Sequence, residues 1–155
     1  MTDSIRIIDI NDASGVVIAG DWLASAESVH RQLRPQLPEN YAGTMRRVFA
    51  GGGRMCVAEM RGVVAGVAVY RIHENTFDGV QMYVDDLVTD AACRSRGVGK
   101  ALLDRLQQIA RDAGCNAFTL DSGTQRQQAH KFYFREGMTV TSFHFAKPLG
   151  SAGRA

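Results

Sequence analysis

The sequence predicts an α+β fold, a mixed and largely antiparallel central sheet flanked by helices. Three observations carry this reading. Three β-rich runs follow one another between Met55 and Thr89, with the turn pair Arg61-Gly62 between the first two. The apolar period then changes from about 2 to about 3.6, with Val98, Leu102, Leu106, Ile109, Ala110 and Ala113 on one helical face. The 155 residues suffice for one core without a disulfide or metal staple. The chain therefore reads as a single domain over 1–155, with its core at about 5–146 and a tail at 147–155.

Each element has a local reason. Ile5 to Ile10 is a short β-branched run, expected as the first strand and closed by Asn11-Asp12. Ala13 to Arg34 has helical spacing at Val16, Ala19, Leu23 and Ala26, but Gly15 and Gly20 interrupt it; one broken helix or two short ones are expected. Pro35 and Pro38 mark a loop, and Tyr41 to Ala50 predicts another helix. Gly51-Gly52-Gly53 ends it and reads as a flexible connector. Met55–Met60 and Val63–Ile72 form an expected antiparallel hairpin, and Gly79–Thr89 the next strand. The amphipathic helix from Val98 stops at Gly114. Asn116–Asp121 predicts a strand, Ala129 to Glu136 a helix stopped by Gly137, and Thr139–Phe145 a last strand.

Composition removes several function classes. Eighteen basic and sixteen acidic residues leave a net charge of +2, too small for a duplex nucleic-acid surface. Lys100, Lys131 and Lys147 are the only lysines, so the other fifteen cations are arginines, the residue type that grips phosphate in a fixed fork. Cys56, Cys93 and Cys115 form no C-x-x-C pair, and the four histidines show no ligand spacing. No disulfide framework and no metal site are expected. No apolar run approaches the ~18 residues of a membrane span, and the N-terminus lacks a signal-peptide pattern. A cytoplasmic protein with no nucleic-acid and no membrane partner is the expectation.

The most informative segment is Arg94-Ser95-Arg96-Gly97-Val98-Gly99-Lys100, at a strand-to-helix junction. The first N–H groups of a helix have no intrahelical partner and carry the positive end of its dipole, so they form an anion site. Glycine at 97 and 99 removes the Cβ atoms that would hold a phosphate off, and Arg94, Arg96 and Lys100 add charge. A Walker A loop fails, because Arg94 stands at its first glycine and Ala101 at its hydroxyl position. A Rossmann fingerprint fails at Leu102, its third glycine, and a G-x-S-x-G elbow at Cys93.

With these residues the chain resembles the GCN5-related N-acetyltransferase (GNAT) superfamily. Arg94, Gly97 and Gly99 match its [QR]-x-x-G-x-[GA] motif. Tyr83 to Thr89 is similar to its splayed central strand, and Ala129 to Met138 to its A-x-x-F-Y-x-x-x-G-F block. The resemblance implies acetyl-CoA as co-substrate, with no metal. It implies that Leu87, Val88 and Thr89 present backbone groups to the pantetheine arm and thioester. It further implies cofactor contacts from Arg94, Ser95, Arg96, Gly97, Val98, Gly99, Lys100, Arg126 and Ala129. Arg126 replaces the asparagine that the family often carries there.

Acetyl transfer needs a proton donor for the departing thiolate and an acceptor for the amine proton. The resemblance implies Tyr133 as donor, and a phenol with a pKa of ~10 suits a thiolate. Asp85 matches an acidic position that some members use as base. Strand alternation puts it with Tyr83 and Leu87, and Asp86 with Val84 and Val88, unless a bulge intervenes. Whether Asp85, Asp86 or a water is the base stays open. Asp86 and Asp121 are expected on the substrate side. Cys93 and His130 read as an inert thiol and a solvated imidazole. The expected function is acetyl transfer from acetyl-CoA to an amine, small-molecule rather than protein, with cations favoured weakly by the acidic strand end. The alternative is an acyl-CoA sensor without turnover. A homodimer is a further expectation, because the last strand leaves a sheet edge to cover.

Overall fold

The computed structural model describes residues 3–150 and holds five strands and four helices among them. The strands are β1 (Ile5–Asp9), β2 (Arg54–Met60), β3 (Val63–Asn75), β4 (Gly79–Thr89) and β5 (Ala117–Leu120). They form one sheet in the order β1-β2-β3-β4-β5, antiparallel from β1 to β4. The β2–β3 turn is tight because Arg61 (φ 55°) and Gly62 (φ 81°) are both left-handed, as a two-residue hairpin of matching twist requires.

Two helices cover one face. α1 (Gly20–Leu33) and α2 (Tyr41–Ala50) bury Leu23, Ala26, Val29, Tyr41, Met45 and Phe49 against Val57, Val67, Val69 and Val88 of the sheet. Each Leu, Val, Met or Phe among them contributes roughly 1.5–3 kcal/mol on burial. Asn40 caps α2, its side chain accepting from Gly43 N at 2.9 Å. On the opposite face lies α3 (Val98–Asp112), with Leu102, Leu103 and Leu106 fully buried. Its approach depends on Gly66: a Cβ there would stand 2.7 Å from Val98 Cγ1 and 2.9 Å from Leu102 Cδ1.

The strands and the later helices form where expected, and two expectations are corrected. The first helical region is one uninterrupted helix. Gly20 opens α1, while Gly15 lies before it in a turn, at φ +89° and with no room for a Cβ against Phe49 O at 2.9 Å. The predicted last strand, Thr139–Phe145, does not form: Met138 N closes the preceding helix on Tyr133 O, and no ladder follows among the described residues.

The chain packs as two compact units, Met1–Thr119 and Leu120–Ala155. The second contains α4 (Gln127–Arg135) and the segment after it. Residues 151–155 of the expected tail lie outside the described residues.

Candidate active site

In the first unit the site is organised by an irregularity in β4. Opposite β3, Val84 pairs with Tyr70 and Asp86 with Val69, so Asp85 is an extra residue without a cross-strand partner. This is a β-bulge, and it changes which side chains share a face. Neighbouring Val69 and Tyr70 face opposite sides, so Asp86 keeps company with Val88 but not with Val84. The alternation read from the sequence holds only where no bulge intervenes, and here one does, parting Asp86 from Val84.

The bulge turns Asp86 toward α1. His30, only 1% exposed, holds Asp86 Oδ2 through Nε2 at 2.7 Å and Tyr41 Oη through Nδ1 at 2.8 Å. Arg34, the C-cap of α1, donates through Nε to Asp86 Oδ1 at 2.7 Å and through a terminal nitrogen to the Asp85 carbonyl at 3.0 Å. Arg71 of β3 donates to Asp85 Oδ2 at 3.0 Å. Each carboxylate is therefore answered by an arginine. The strand end that reads as acidic in sequence is charge-compensated in the fold, which weakens its pull on a purely cationic acceptor.

The two aspartates differ chemically. Burial pushes the Asp85 carboxyl above its ordinary range, and this outweighs the hydrogen bond and charge of Arg71. Burial would also raise Asp86, but the hydrogen bond from His30 and the charge of Arg34 prevail and hold it below the usual value. Asp85 is thus the better proton acceptor of the pair, and Asp86 the more firmly ionised.

Beyond the bulge, Leu87, Val88 and Thr89 pair with Ala68, Val67 and Gly66 of β3. On the other side β4 has only the four residues of β5, which begins where Asn116 N donates to Val80 O at 2.7 Å. The shorter strand accompanies the start of β4 and leaves the edge of its later residues without a strand partner among the described residues.

A single 3-10 turn, Ala91–Cys93, then leads to the glycine turn. Ser95 (φ 64°) and Gly97 (φ 84°) are both left-handed, which curls the backbone ahead of α3; a serine held there costs on the order of 1 kcal/mol. A Cβ on Gly97 would project into open space with nothing within 4 Å. Arg94, Ser95 and Arg96 are exposed, Val98 is buried and Gly99 half-buried. Arg96 lies 3.6 Å from Asp3, and Lys100 pairs with Asp104 at 3.1 Å. The unpaired N–H groups opening α3, beside the exposed Arg94 and Arg96, could hold a diphosphate such as that of coenzyme A. No group of three potential metal ligands occurs among the described residues.

In the second unit, Tyr133 is buried in α4 and its ring packs against Phe132, centroids 5.4 Å apart. Burial raises its phenol above the ordinary value, partly offset by the charge of Arg126 and by its hydrogen bond to the phenol. Because the guanidinium only donates, the phenolic proton remains available to another acceptor. Arg126, expected at the cofactor, is the N-cap of α4 and sits on Tyr133. Ala129 is half-buried on the same helix. Asp121 is exposed and lies 3.2 Å from His144. His130 bonds the Gly123 carbonyl at 2.8 Å.

Sequence reasoning missed His30, Arg34, Tyr41 and Arg71. One sign was legible: His30 continues the apolar face of α1 set by Leu23 and Ala26, and a polar residue at a core position needs a partner. Arg71 gave no such sign, since its partner is presented only by the bulge.

A family model described as the acetyltransferase (GNAT) family matches residues 21–138. The chain is 47% identical over 72 residues to the uncharacterised N-acetyltransferase YhdJ of Bacillus subtilis, covering 46% of this chain and 51% of that protein. It is 30% identical over 91 residues to an aminoalkylphosphonate N-acetyltransferase of Salmonella typhimurium, covering 59% and 57%. The matches thus span little more than half the length of these curated relatives. Among solved structures, the fold is similar to that of an aminoglycoside N-acetyltransferase in complex with CoA, at a TM-score of 0.79, 19% identity, and coverage of 96% and 97%. By the extent of the family match, this chain belongs to the GNAT acetyltransferase family.

Proposed function

We propose that the protein transfers an acetyl group from acetyl-CoA to a primary amine of a small molecule, directly and in a ternary complex. The observation that carries this reading is the bulged half of β4, whose open edge leads straight into the glycine turn of α3. The family match and the names of the relatives support it: one acts on aminoalkylphosphonates, and another of the same fold on aminoglycosides. Two units notwithstanding, one functional domain is the reading, since the family match runs across their boundary. Free thiols at Cys56, Cys93 and Cys115 suit a cytoplasmic setting.

Each residue has a role in this proposal. The amides at Gly97, Val98 and Gly99, with Ser95, Arg94, Arg96 and Lys100, hold the diphosphate. Main-chain groups of Leu87, Val88 and Thr89 align the pantetheine arm, and one N–H faces the thioester oxygen where negative charge develops. Asp86, fixed by His30 and Arg34, orients the acceptor, and Asp85 takes the amine proton directly or through water. The amine nitrogen bonds to the acetyl carbon, the carbon–sulfur bond breaks, and the thiolate takes the proton of Tyr133. Arg126 stabilises the resulting phenolate. Asp121 and Ala129 line the acceptor and cofactor sides. Compensation of Asp85 and Asp86 by Arg71 and Arg34 favours amines that also carry an anionic group over polyamines.

Thiol release from acetyl-CoA, measured across aminoalkylphosphonates, amino sugars, amino acids and polyamines, tests the proposal. Turnover with at least one small amine is expected. Tight CoA binding with no turnover on any amine supports the sensor reading instead, and absence of CoA binding removes both.

A further inference from the structure

The two carboxylates at the bulge are held in unlike ways. Asp86, its side chain 14% exposed, is gripped by three nitrogens at 2.7 Å: His30 Nε2 on Oδ2, and both Nε and a terminal nitrogen of Arg34 on Oδ1. The same terminal nitrogen reaches the Asp85 carbonyl at 3.0 Å, so the fork of Arg34 is largely spent. Arg71 is not spent. It donates to Asp85 through Nε alone, to the single oxygen Oδ2 at 3.0 Å. Its two terminal nitrogens make no hydrogen bond among the described residues, and its side chain is 44% exposed. Arginine holds a carboxylate most firmly through two parallel bonds; one half-exposed bond is weak and readily exchanged.

Position makes this loose pair informative. Val69 packs with α1 and α2, and strand alternation puts Arg71 on the same face of β3. Asp86 lies opposite Val69 and turns to the same side. Both arginines therefore reach the bulged residue from one face, Arg34 at its carbonyl and Arg71 at its carboxylate. The charges acting on the Asp85 carboxyl are Arg71 from β3, Arg34 from the end of α1, and Asp86 beside it in β4. Of these, Arg71 alone combines a direct bond to that carboxylate with donors left over.

We propose that Arg71 determines acceptor specificity: it takes an anionic group of the substrate and, in doing so, gives up Asp85. Under the acetyl-transfer reading on which this rests, recognition of the anion and release of the base are one event. A phosphonate or carboxylate matches the planar fork with two bonds where Asp85 makes one. Once Arg71 turns to it, Asp85 loses a hydrogen bond and a cation but keeps the like charge of Asp86. Its affinity for a proton then rises. The substrate ammonium passes one proton to the Asp85 carboxylate, and the neutral nitrogen attacks the thioester carbon. An amine without an anionic group leaves Arg71 on Asp85. Because the amine and the anion meet neighbouring side chains, a short spacer joins them in the preferred acceptor.

Steady-state thiol release with matched amines tests the proposal: aminoethylphosphonate against ethanolamine, and β-alanine against β-alaninamide. Every further amine that turns over is compared with its anionic or neutral counterpart. Wild type is expected to favour the anionic member by about tenfold or more in kcat/KM, as one charge-assisted hydrogen bond allows. Arg71→Gln is expected to lose that preference through the anionic substrate. With the neutral one, the acid limb of its pH–rate profile is expected to move to higher pH, because Asp85 has lost a cation. Arg71→Lys keeps the charge without the fork and is expected to recover part of the preference. A wild-type preference short of about tenfold, or one for neutral amines, overturns the proposal, as does an Arg71→Gln that keeps the preference. Acetyl transfer itself stands in each of those outcomes. Turnover of no amine removes the acetyl-transfer reading, and the role of Arg71 with it.

Discussion

β4 is one strand with two characters. From Gly79 to Val84 it runs between β3 and β5, with Met82 and Val84 buried and Gln81 bonded sideways to both His73 (3.2 Å) and Thr119 (2.8 Å). From Asp85 to Thr89 it keeps β3 alone, carries the bulge, and gathers His30, Arg34 and Arg71 around two carboxylates. A strand paired on both edges commits its amides to holding the sheet together. Lifting one neighbour away and adding one residue frees main-chain donors for a ligand, while the opposite edge still holds the strand rigid. The first half of β4 carries stability, and the second carries the chemistry proposed above.

Substitutions sharpen this contrast, from large effects to small. Tyr133→Phe, outside β4, sets the scale: kcat is expected to fall by on the order of 100–1,000-fold with the KM for acetyl-CoA nearly unchanged, since only a proton donor is removed. Asp85→Asn is expected to lower kcat about 100-fold and to remove the acid limb of the pH–rate profile, with little change in melting temperature. In wild type that limb lies above the ordinary carboxylate range, because burial raises Asp85. An unchanged profile moves the base elsewhere.

Gln81→Leu probes the other half. Chemical denaturation is expected to show a loss of ~1–3 kcal/mol, as Thr119 and His73 lose their partner, with kcat per folded molecule preserved. Asp86→Asn gives the smallest effect on this scale, and it depends on pH. The folded-state pKa of Asp86 is depressed, so the unfolded chain binds more protons and stability rises with pH in that range. The contribution is present above the ordinary carboxylate value of 3.8 and is lost as pH falls through the folded value. Melting temperature followed against pH on the acid side is expected to decline less steeply in Asp86→Asn than in wild type.

These halves were unequally legible. Gly79 to Thr89 is visible as a strand from its β-branched and aromatic residues, and α3 from its period, because both patterns are local. The motif from Arg94 to Gly99 is visible because glycine is chosen by backbone geometry. The bulge was not legible: it is a slip of register between β3 and β4, and only the pairing of two strands defines it. With it went the faces of Asp85 and Asp86, and so their partners. Gly15 and Gly20 made one helix look like two, since a glycine in a turn and one at a helix start are identical as letters. Thr139–Phe145 has the composition of a strand, but a strand also needs a neighbour, and none pairs with it among the described residues.

Gly66 joins the two faces of this design. It pairs with Thr89 across the sheet, and its missing side chain lets Val98, the first residue of α3, settle against it. A methyl group there would act as a wedge under the front of the helix, also meeting Val88 O at 3.1 Å. The gap between the amides opening α3 and the end of β4 is therefore set by an atom that is absent. Under the proposed function, that spacing is set from Gly66, in steps as small as one carbon.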